Sequence, residues 1–275
     1  VDKERMFLKP KLNFEIGFAL DRGKKRNTKP NQDSLIVLTC RGRKKLPPIL
    51  VLADGMGGYA GGAAASQAII KAYNSLYRQA ATMTDFSSFS NQAITLALEE
   101  MKKQAGKDPR FRSMGSTLVA VCLLQNRLSL VNVGDSRAYR FHKGDMQQIN
   151  YDHSFIGEAV RAGLLQPQEA MNHPKKNQLT QSITPSRTEI KPYFVEVPFE
   201  MNDVVLLCSD GLWGVISEPI IQSVVLELPV QKAAEKLVKL ANARGGPDNI
   251  SVIVARHIGA VPELPYLLQD DTLPG

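Results

Sequence analysis

Short runs of β-branched and other apolar residues, bounded by glycine, proline, aspartate or asparagine, recur along most of this chain. Residues 14–19, 34–39 and 48–53 read as three strands, with a basic loop at 21–32 between the first two. Gly57, Gly58, Gly61 and Gly62 then lead into a helix whose Ile69, Tyr73, Leu76 and Ala80 recur at helical spacing. Asp85 or Ser87 can cap a second helix, with Phe89, Ala93, Leu96 and Met101 on one face. Strands return at 116–124, 127–133, 137–142 and 145–149, the last two joined by a Lys143-Gly144 turn.

Residues 152–178 break this pattern. They are polar, with short helical pieces at 156–162 and 167–171, and read as an inserted surface element. Two more strands follow at 191–197 and 203–208. Ser217 with Pro219 opens a helix to Glu227, and Pro229 opens another to Ala243, stopped by Gly245-Gly246-Pro247. A strand at 250–256 closes the pattern. Residues 1–13 read as an N-terminal extension, 14–257 as one domain and 258–275 as a tail or linker. Strands cluster with strands and helices come in pairs, which predicts an antiparallel α+β fold rather than alternating βα units.

Four of the apolar runs meet an aspartate beside a turn residue: Asp54-Gly55, Asp135-Ser136, Asp210-Gly211 and Asp248-Asn249. Any one of them is explained by turn formation alone. Four carboxylates at four strand rims also supply the hard oxygen ligands from which a Mg²⁺ or Mn²⁺ site is assembled.

Composition narrows the setting. The chain has 275 residues, 43% hydrophobic and 22% charged, with a net charge of +7 that favours anionic partners. Its basic runs, Lys24-Lys25-Arg26 with Lys29, and Arg41 to Lys45, have no interleaved aromatic residues. A nucleic-acid stacking platform is therefore not expected. Three cysteines form no Cys-x-x-Cys pair, which suits a reducing, cytoplasmic setting. No apolar stretch approaches the roughly 20 residues of a membrane helix.

Other chemistries fit less well. No cysteine has an arginine six positions later, and no Gly-x-Ser-x-Gly elbow occurs. His142, His153, His173 and His257 are scattered, which argues against a histidine-rich metal site, and His153 and His173, flanking the insert, read as structural hydrogen-bonders. Gly55-x-Gly57-x-x-Ala60 fits a relaxed dinucleotide fingerprint, but two helices follow it where a strand is required, and Asp54 would repel a pyrophosphate.

In register with these aspartates stand further motifs. Asn31-Gln32-Asp33-Ser34, Asp54-Gly55-Met56-Gly57-Gly58, Gly115-Ser116-Thr117, Val133-Gly134-Asp135-Ser136-Arg137, Asp152-His153-Ser154, Ser209-Asp210-Gly211-Leu212 and Asp248-Asn249-Ile250-Ser251 follow in that order. Together they resemble the metal-dependent type 2C (PPM) protein serine/threonine phosphatases of bacterial style, over residues 14–256. The resemblance implies a four-layer α-β-β-α sandwich of two antiparallel sheets flanked by helix pairs. It implies hydrolysis of phosphoserine and phosphothreonine in proteins by a hydroxide bridging two Mn²⁺ or Mg²⁺ ions. Asp54 would bridge the ions, the Gly55 carbonyl would bind one, and Asp210 and Asp248 would hold the other. Asp135 with Asp210 would bind a weaker third ion, and Asp33 would orient metal-bound waters. Asn249 would fix its turn, Arg137 would make a structural ion pair, and residues 154–178 would form a flap beside the site. Phosphoproteins, and a Ser/Thr kinase among them, are the implied partners; a monomer is favoured.

Three departures from the family pattern stand out. Gln32 occupies a position where members commonly carry Glu, so one negative charge is missing and weaker affinity at one metal is expected. The same residue supports the alternative of a catalytically weak pseudophosphatase serving as a binding or regulatory module. Thr28 stands where the family's phosphate-binding arginine is expected, which makes Arg26 the candidate, with Arg22 behind it. Met56 stands where animal members carry a histidine acid, so a metal-bound water would have to protonate the leaving oxygen.

Overall fold

Nearly every core strand of this protein is apolar on both faces, and the reason is its place in the middle of a four-layer stack. The computed structural model describes residues 13–26, 28–40, 46–166, 175 and 178–259. One sheet contains β1 (Phe14–Asp21), β7 (Arg137–His142), β8 (Asp145–Gln148), β10 (Val204–Cys208) and β11 (Ile250–His257), in the order β1-β11-β10-β7-β8. The other runs β2 (Asp33–Leu38), β3 (Ile49–Met56), β5 (Leu118–Leu123), β6 (Arg127–Val133) and β9 (Tyr193–Pro198). The two-residue β4 (Gly115–Ser116) pairs with the end of β3. All pairings are antiparallel.

Side chains alternate between the faces of a strand, so each buried strand serves two cores. On β3, Ile49, Val51 and Ala53 face the helices α1 (Tyr59–Gln79) and α2 (Phe86–Lys107), while Leu50 and Leu52 face the opposite sheet. On β10, Val204, Leu206 and Cys208 face an outer helical layer, while Val205 and Leu207 meet the first sheet's partner. That outer layer is α5 (Glu218–Glu227) and α6 (Val230–Ala243). The expected α-β-β-α sandwich is therefore the observed fold.

The predicted elements are found with local differences. The strand expected at 116–124 is split at Thr117 into β4 and β5. Asp85, rather than Ser87, caps α2, accepting from the Ser87 and Ser88 amides. The inner face of α2 is Ser90, Ala93, Ile94, Ala97 and Met101; Leu96, placed with them from spacing, is 38% exposed because it falls at the edge of that stripe. Two short helices are present in the polar regions: α3 (Phe155–Arg161), as expected, and α4 (Asp210–Trp213), which no periodicity announced. The helical piece expected at 167–171, the basic turn at 41–45, the first twelve residues and most of the tail lie outside the described residues. Cys122 and Cys208 are buried and Cys40 half-buried, all as free thiols. Among the described residues no helix is long and apolar enough to cross a membrane.

The contact between β1 and α6 fixes the lateral position of the outer layer. A Cβ on Gly17 would collide with the backbone of Val230 and Gln231, so the helix lies directly on the strand. The Gln231 amide then satisfies the free edge of β1, accepting from the Phe18 N–H and donating to its carbonyl, each at 3.1 Å. Gly17→Ala should therefore push α6 outward and cost about 1–3 kcal/mol, as overpacking does. A urea midpoint equal to wild type would show that the layer shifts freely.

Candidate functional site

The alternation that fills the middle of the sandwich with aliphatic residues also assembles a polar patch at one end. Asp33 and Asp54 are register partners on β2 and β3. Asp33 has the parity of Leu35 and Val37, and Asp54 that of Leu50 and Leu52, so both acids lie on the face between the sheets. Ser209 and Ser251 obey the same rule in the other sheet, next to Leu207 and Ile253. Asp210 opens α4 directly after β10, and Asp248 precedes β11, at the same end. Asp135 lies in the turn that crosses from β6 to β7, from one sheet to the other.

These acids repel one another. Burial, joined by the charges of Asp210 and Asp248, pushes Asp33 up to about 7 despite two hydroxyl donors. Burial and the Asp210 and Asp152 charges push Asp135 to about 8. Burial and Asp248 raise Asp210 to about 6, partly offset by a hydrogen bond with Asp54. Asp54 is also raised well above the usual carboxylate range, by burial and then by Asp33, Asp210, Asp135 and Asp248. Asp54 and Asp210 retain some water access, so screening softens these interactions without reversing them.

Arg26 is brought to the cluster by its loop. The 3₁₀ turn Lys24–Arg26 is pinned to the end of α6 by Lys24 N–H to Asn242 Oδ1 at 3.1 Å and Lys25 N–H to the Gly246 carbonyl at 3.0 Å. Arg26 donates to Asp248 Oδ2 at 2.7 Å and to Gln32 Oε1 at 3.1 Å. Gln32 Nε2 in turn donates to the Gly58 carbonyl at 3.0 Å. A glutamate at this position would meet that carbonyl with a second acceptor, so the amide bridges the arginine loop and the start of α1. Asn249 does more than shape its turn: it accepts from the Gln32 N–H at 2.9 Å and donates to the Arg22 carbonyl at 2.8 Å.

Gly55, the first glycine of the relaxed dinucleotide fingerprint, and Gly62 in α1 have a packing role. A Cβ on Gly55 would strike the Gly62 carbonyl, and one on Gly62 would strike Gln32. Their absence lets α1 approach the end of β3. Arg137 pairs with Asp152 through two nitrogens, the shortest contact at 2.7 Å, and stacks 3.8 Å above the Trp213 ring. Among the described residues the three histidines have hydrogen-bond partners: His142 with Asp203, His153 with the Gly134 N–H and His257 with the Gln125 carbonyl. His173 lies outside the described residues.

Among the described residues, no three His, Cys, Asp or Glu side chains form a finished metal cage. The donor chemistry nevertheless fits hard divalent ions, which take oxygen ligands. Asp33 Oδ1 is buried without a partner, and the acids raise one another's proton affinity, a repulsion that a bound cation would relieve.

A protein phosphatase 2C family profile matches residues 22–252. The chain belongs to that family. This 2C phosphatase is 36% identical over 243 residues to the protein phosphatase PhpP of Streptococcus pneumoniae, covering 87% of this chain and 96% of that protein. Its fold superimposes with a TM-score of 0.78 and 33% identity on the Mycobacterium tuberculosis serine/threonine phosphatase PstP/Ppp, covering 88% of this chain and 98% of the other. A PstP catalytic domain solved in complex with two manganese ions is 32% identical, with a TM-score of 0.76, covering 88% and 97% of the two chains.

The sequence motifs of this 2C phosphatase include Thr117, Ser136, Ser209 and Ser251 but give their hydroxyls no role. Thr117 Oγ1 accepts from the Asp54 N–H at 3.0 Å and shares a 2.8 Å hydrogen bond with Ser136. The available signal was parity: Ser251 within β11, and Thr117, Ser136 and Ser209 beside the ends of strands, continue the inward alternation of aliphatic residues.

The raised acids make a prediction for chelator-treated protein. Their folded values lie above the ordinary 3.8, so the folded state binds more protons than the unfolded state. The stability linked to them is fully present below 3.8 and is lost as pH rises through about 6 to about 8. Melting temperature of the metal-free protein should fall over that window, and Asp54→Asn should fall less steeply. Parallel slopes for the two proteins would remove the electrostatic coupling.

Proposed function

We propose that this chain dephosphorylates phosphoserine and phosphothreonine in proteins, using two Mn²⁺ or Mg²⁺ ions held at the acid cluster. The observation that carries this reading is an all-carboxylate cluster, Asp33, Asp54, Asp135, Asp210 and Asp248, at one end of the sandwich, with Arg26 hydrogen-bonded at its margin. Asp54, the Gly55 carbonyl, Asp210 and Asp248 would hold the two core ions, and Asp135 with Asp210 a weaker third. Bound there, divalent ions supply an activated water and neutralise the charge of a phosphoryl group. Asp33 offers its free Oδ1 as an acceptor to orient water. Arg26, held between Asp248 and Gln32, supplies planar donors suited to phosphate oxygens. The manganese-bound relative supports the choice of metal.

Purified protein should hydrolyse p-nitrophenyl phosphate with Mn²⁺ and stop with EDTA. Asp54→Asn or Asp210→Asn should abolish turnover, a loss of at least about 100-fold, with the circular dichroism spectrum unchanged. Full activity in either variant would overturn the metal assignment. Folded wild-type protein that binds Mn²⁺ without hydrolysing any phosphopeptide would favour the binding-module alternative suggested by Gln32.

The segment 154–178 is assigned as a flap that admits protein substrates. Its two ends form a narrow neck, with Phe155 N–H bonded to the Gln178 carbonyl and Thr180 N–H to the His153 carbonyl, both at 2.9 Å. His153 N–H also donates to the Gly134 carbonyl at 2.9 Å, immediately before Asp135. At the outer end of α3, Leu164 is 80% exposed. Shortening the segment within 156–170 should slow hydrolysis of phosphopeptides more than of p-nitrophenyl phosphate. Equal losses on both would assign the segment to support of the core instead.

A further inference from the structure

The two oxygens of Asp33 are treated unequally. Oδ2 accepts from Ser209 Oγ at 2.8 Å and from Ser251 Oγ at 2.6 Å, while Oδ1 is buried with no partner. The acceptor is on β2 in one sheet; both donors belong to the other. Ser209 directly precedes Asp210, and Ser251 is the second residue of β11, three positions after Asp248. A single carboxylate oxygen thus ties the sheet that carries Asp54 to both arms that carry the remaining core acids.

The direction of each bond follows from the local pattern. The Ser251 N–H donates to Ser209 Oγ at 3.0 Å, so that oxygen is already an acceptor and its one proton is directed to Asp33. Ser209 N–H, in turn, donates to the Ser251 carbonyl at 3.2 Å. Both serines are fully buried, Ser251 within β11 and Ser209 just past the end of β10, and both continue the inward alternation of aliphatic residues. Packing alone would be served by alanine there, with no buried hydroxyl to satisfy.

We propose that Ser209 and Ser251 are positioning residues of the metal centre. Their hydroxyls hold Oδ2 of Asp33 against the protein and leave Oδ1 as its only open acceptor. Through Asp33 they set the separation between Asp54 and the pair Asp210 and Asp248. This rests on the acid cluster being the divalent-metal site of the proposed phosphatase.

The test is calorimetric titration of Mn²⁺ into chelator-treated wild type, Ser209→Ala, Ser251→Ala and the double variant, with kinetics on p-nitrophenyl phosphate alongside. Hydrogen bonds to a buried carboxylate are strong enough that each alanine should weaken Mn²⁺ binding about tenfold. The rate constant kcat should fall with it, while KM stays unchanged. Ser251→Thr, which keeps the hydroxyl, should bind Mn²⁺ like wild type. In an Asp33→Asn background, Ser251→Ala should cause no further loss, because the bond it removes has already been changed. A double-alanine variant that binds Mn²⁺ within about twofold of wild type, or losses that simply add to that of Asp33→Asn, would overturn the assignment. Should the alanine variants fail to fold, Ser251→Cys keeps the volume with a weaker donor: weakened Mn²⁺ binding is expected, and wild-type binding would overturn the proposal. Wild-type protein that binds Mn²⁺ but hydrolyses nothing would sink the phosphatase reading without touching these affinities.

Discussion

The end of this sandwich must hold several carboxylates that repel one another, and the surrounding structure is arranged to withstand that repulsion. Asp33, Asp54, Asp135 and Asp210 are each raised by burial and by neighbouring acids. Such a cluster costs folding free energy at neutral pH, so it persists only because the aliphatic layers behind it are rigid and fully packed. Leu50, Leu52, Val119, Val205, Leu207 and Ile253 are completely buried in the space directly behind the site. The strands cannot splay apart to separate the charges without opening that core.

Rigidity is completed by short polar ties between pieces distant in sequence. Arg26 reaches from the β1–β2 loop to Asp248, and Gln32 links the same arginine to the start of α1. Asn249 joins two loops through its amide, and the Thr117–Ser136 pair links β4–β5 to the crossing between the sheets. These ties restrict the movement of the loops and strand ends that carry the acid cluster. Positioning of this kind favours electrostatic catalysis, because the charges are in place before the substrate arrives.

Gln32 illustrates how a departure from a family pattern acquires meaning only with its contacts. As a letter in the chain it signals a missing negative charge. In the fold its oxygen is taken by Arg26 and its nitrogen by the Gly58 carbonyl, a pairing that needs both an acceptor and a donor. Glutamate supplies only acceptors when ionised. The substitution therefore changes how the arginine loop is held as well as the charge of the site.

Much of the architecture was legible in the chain because strand alternation, helix periodicity and turn residues are local signals. Apolar runs such as residues 49–53 and 250–255 predicted strands, and the clustering of strands with paired helices predicted an antiparallel α+β fold, while the four layers were implied by the family resemblance. The aspartates at the strand rims were visible for the same reason, and the motif order identified the family. What lay beyond the chain's own pattern was which strand ends share one end of the sandwich and which side chains meet there. The Asp33–Ser209 bond joins residues 176 apart, and the Arg26–Asp248 pair joins residues 222 apart. No local propensity encodes such contacts, since they exist only once two sheets stack and their inward faces coincide. The unannounced helix α4 and the outward turn of Leu96 have the same origin: packing against neighbours decided them, where residue spacing left more than one solution.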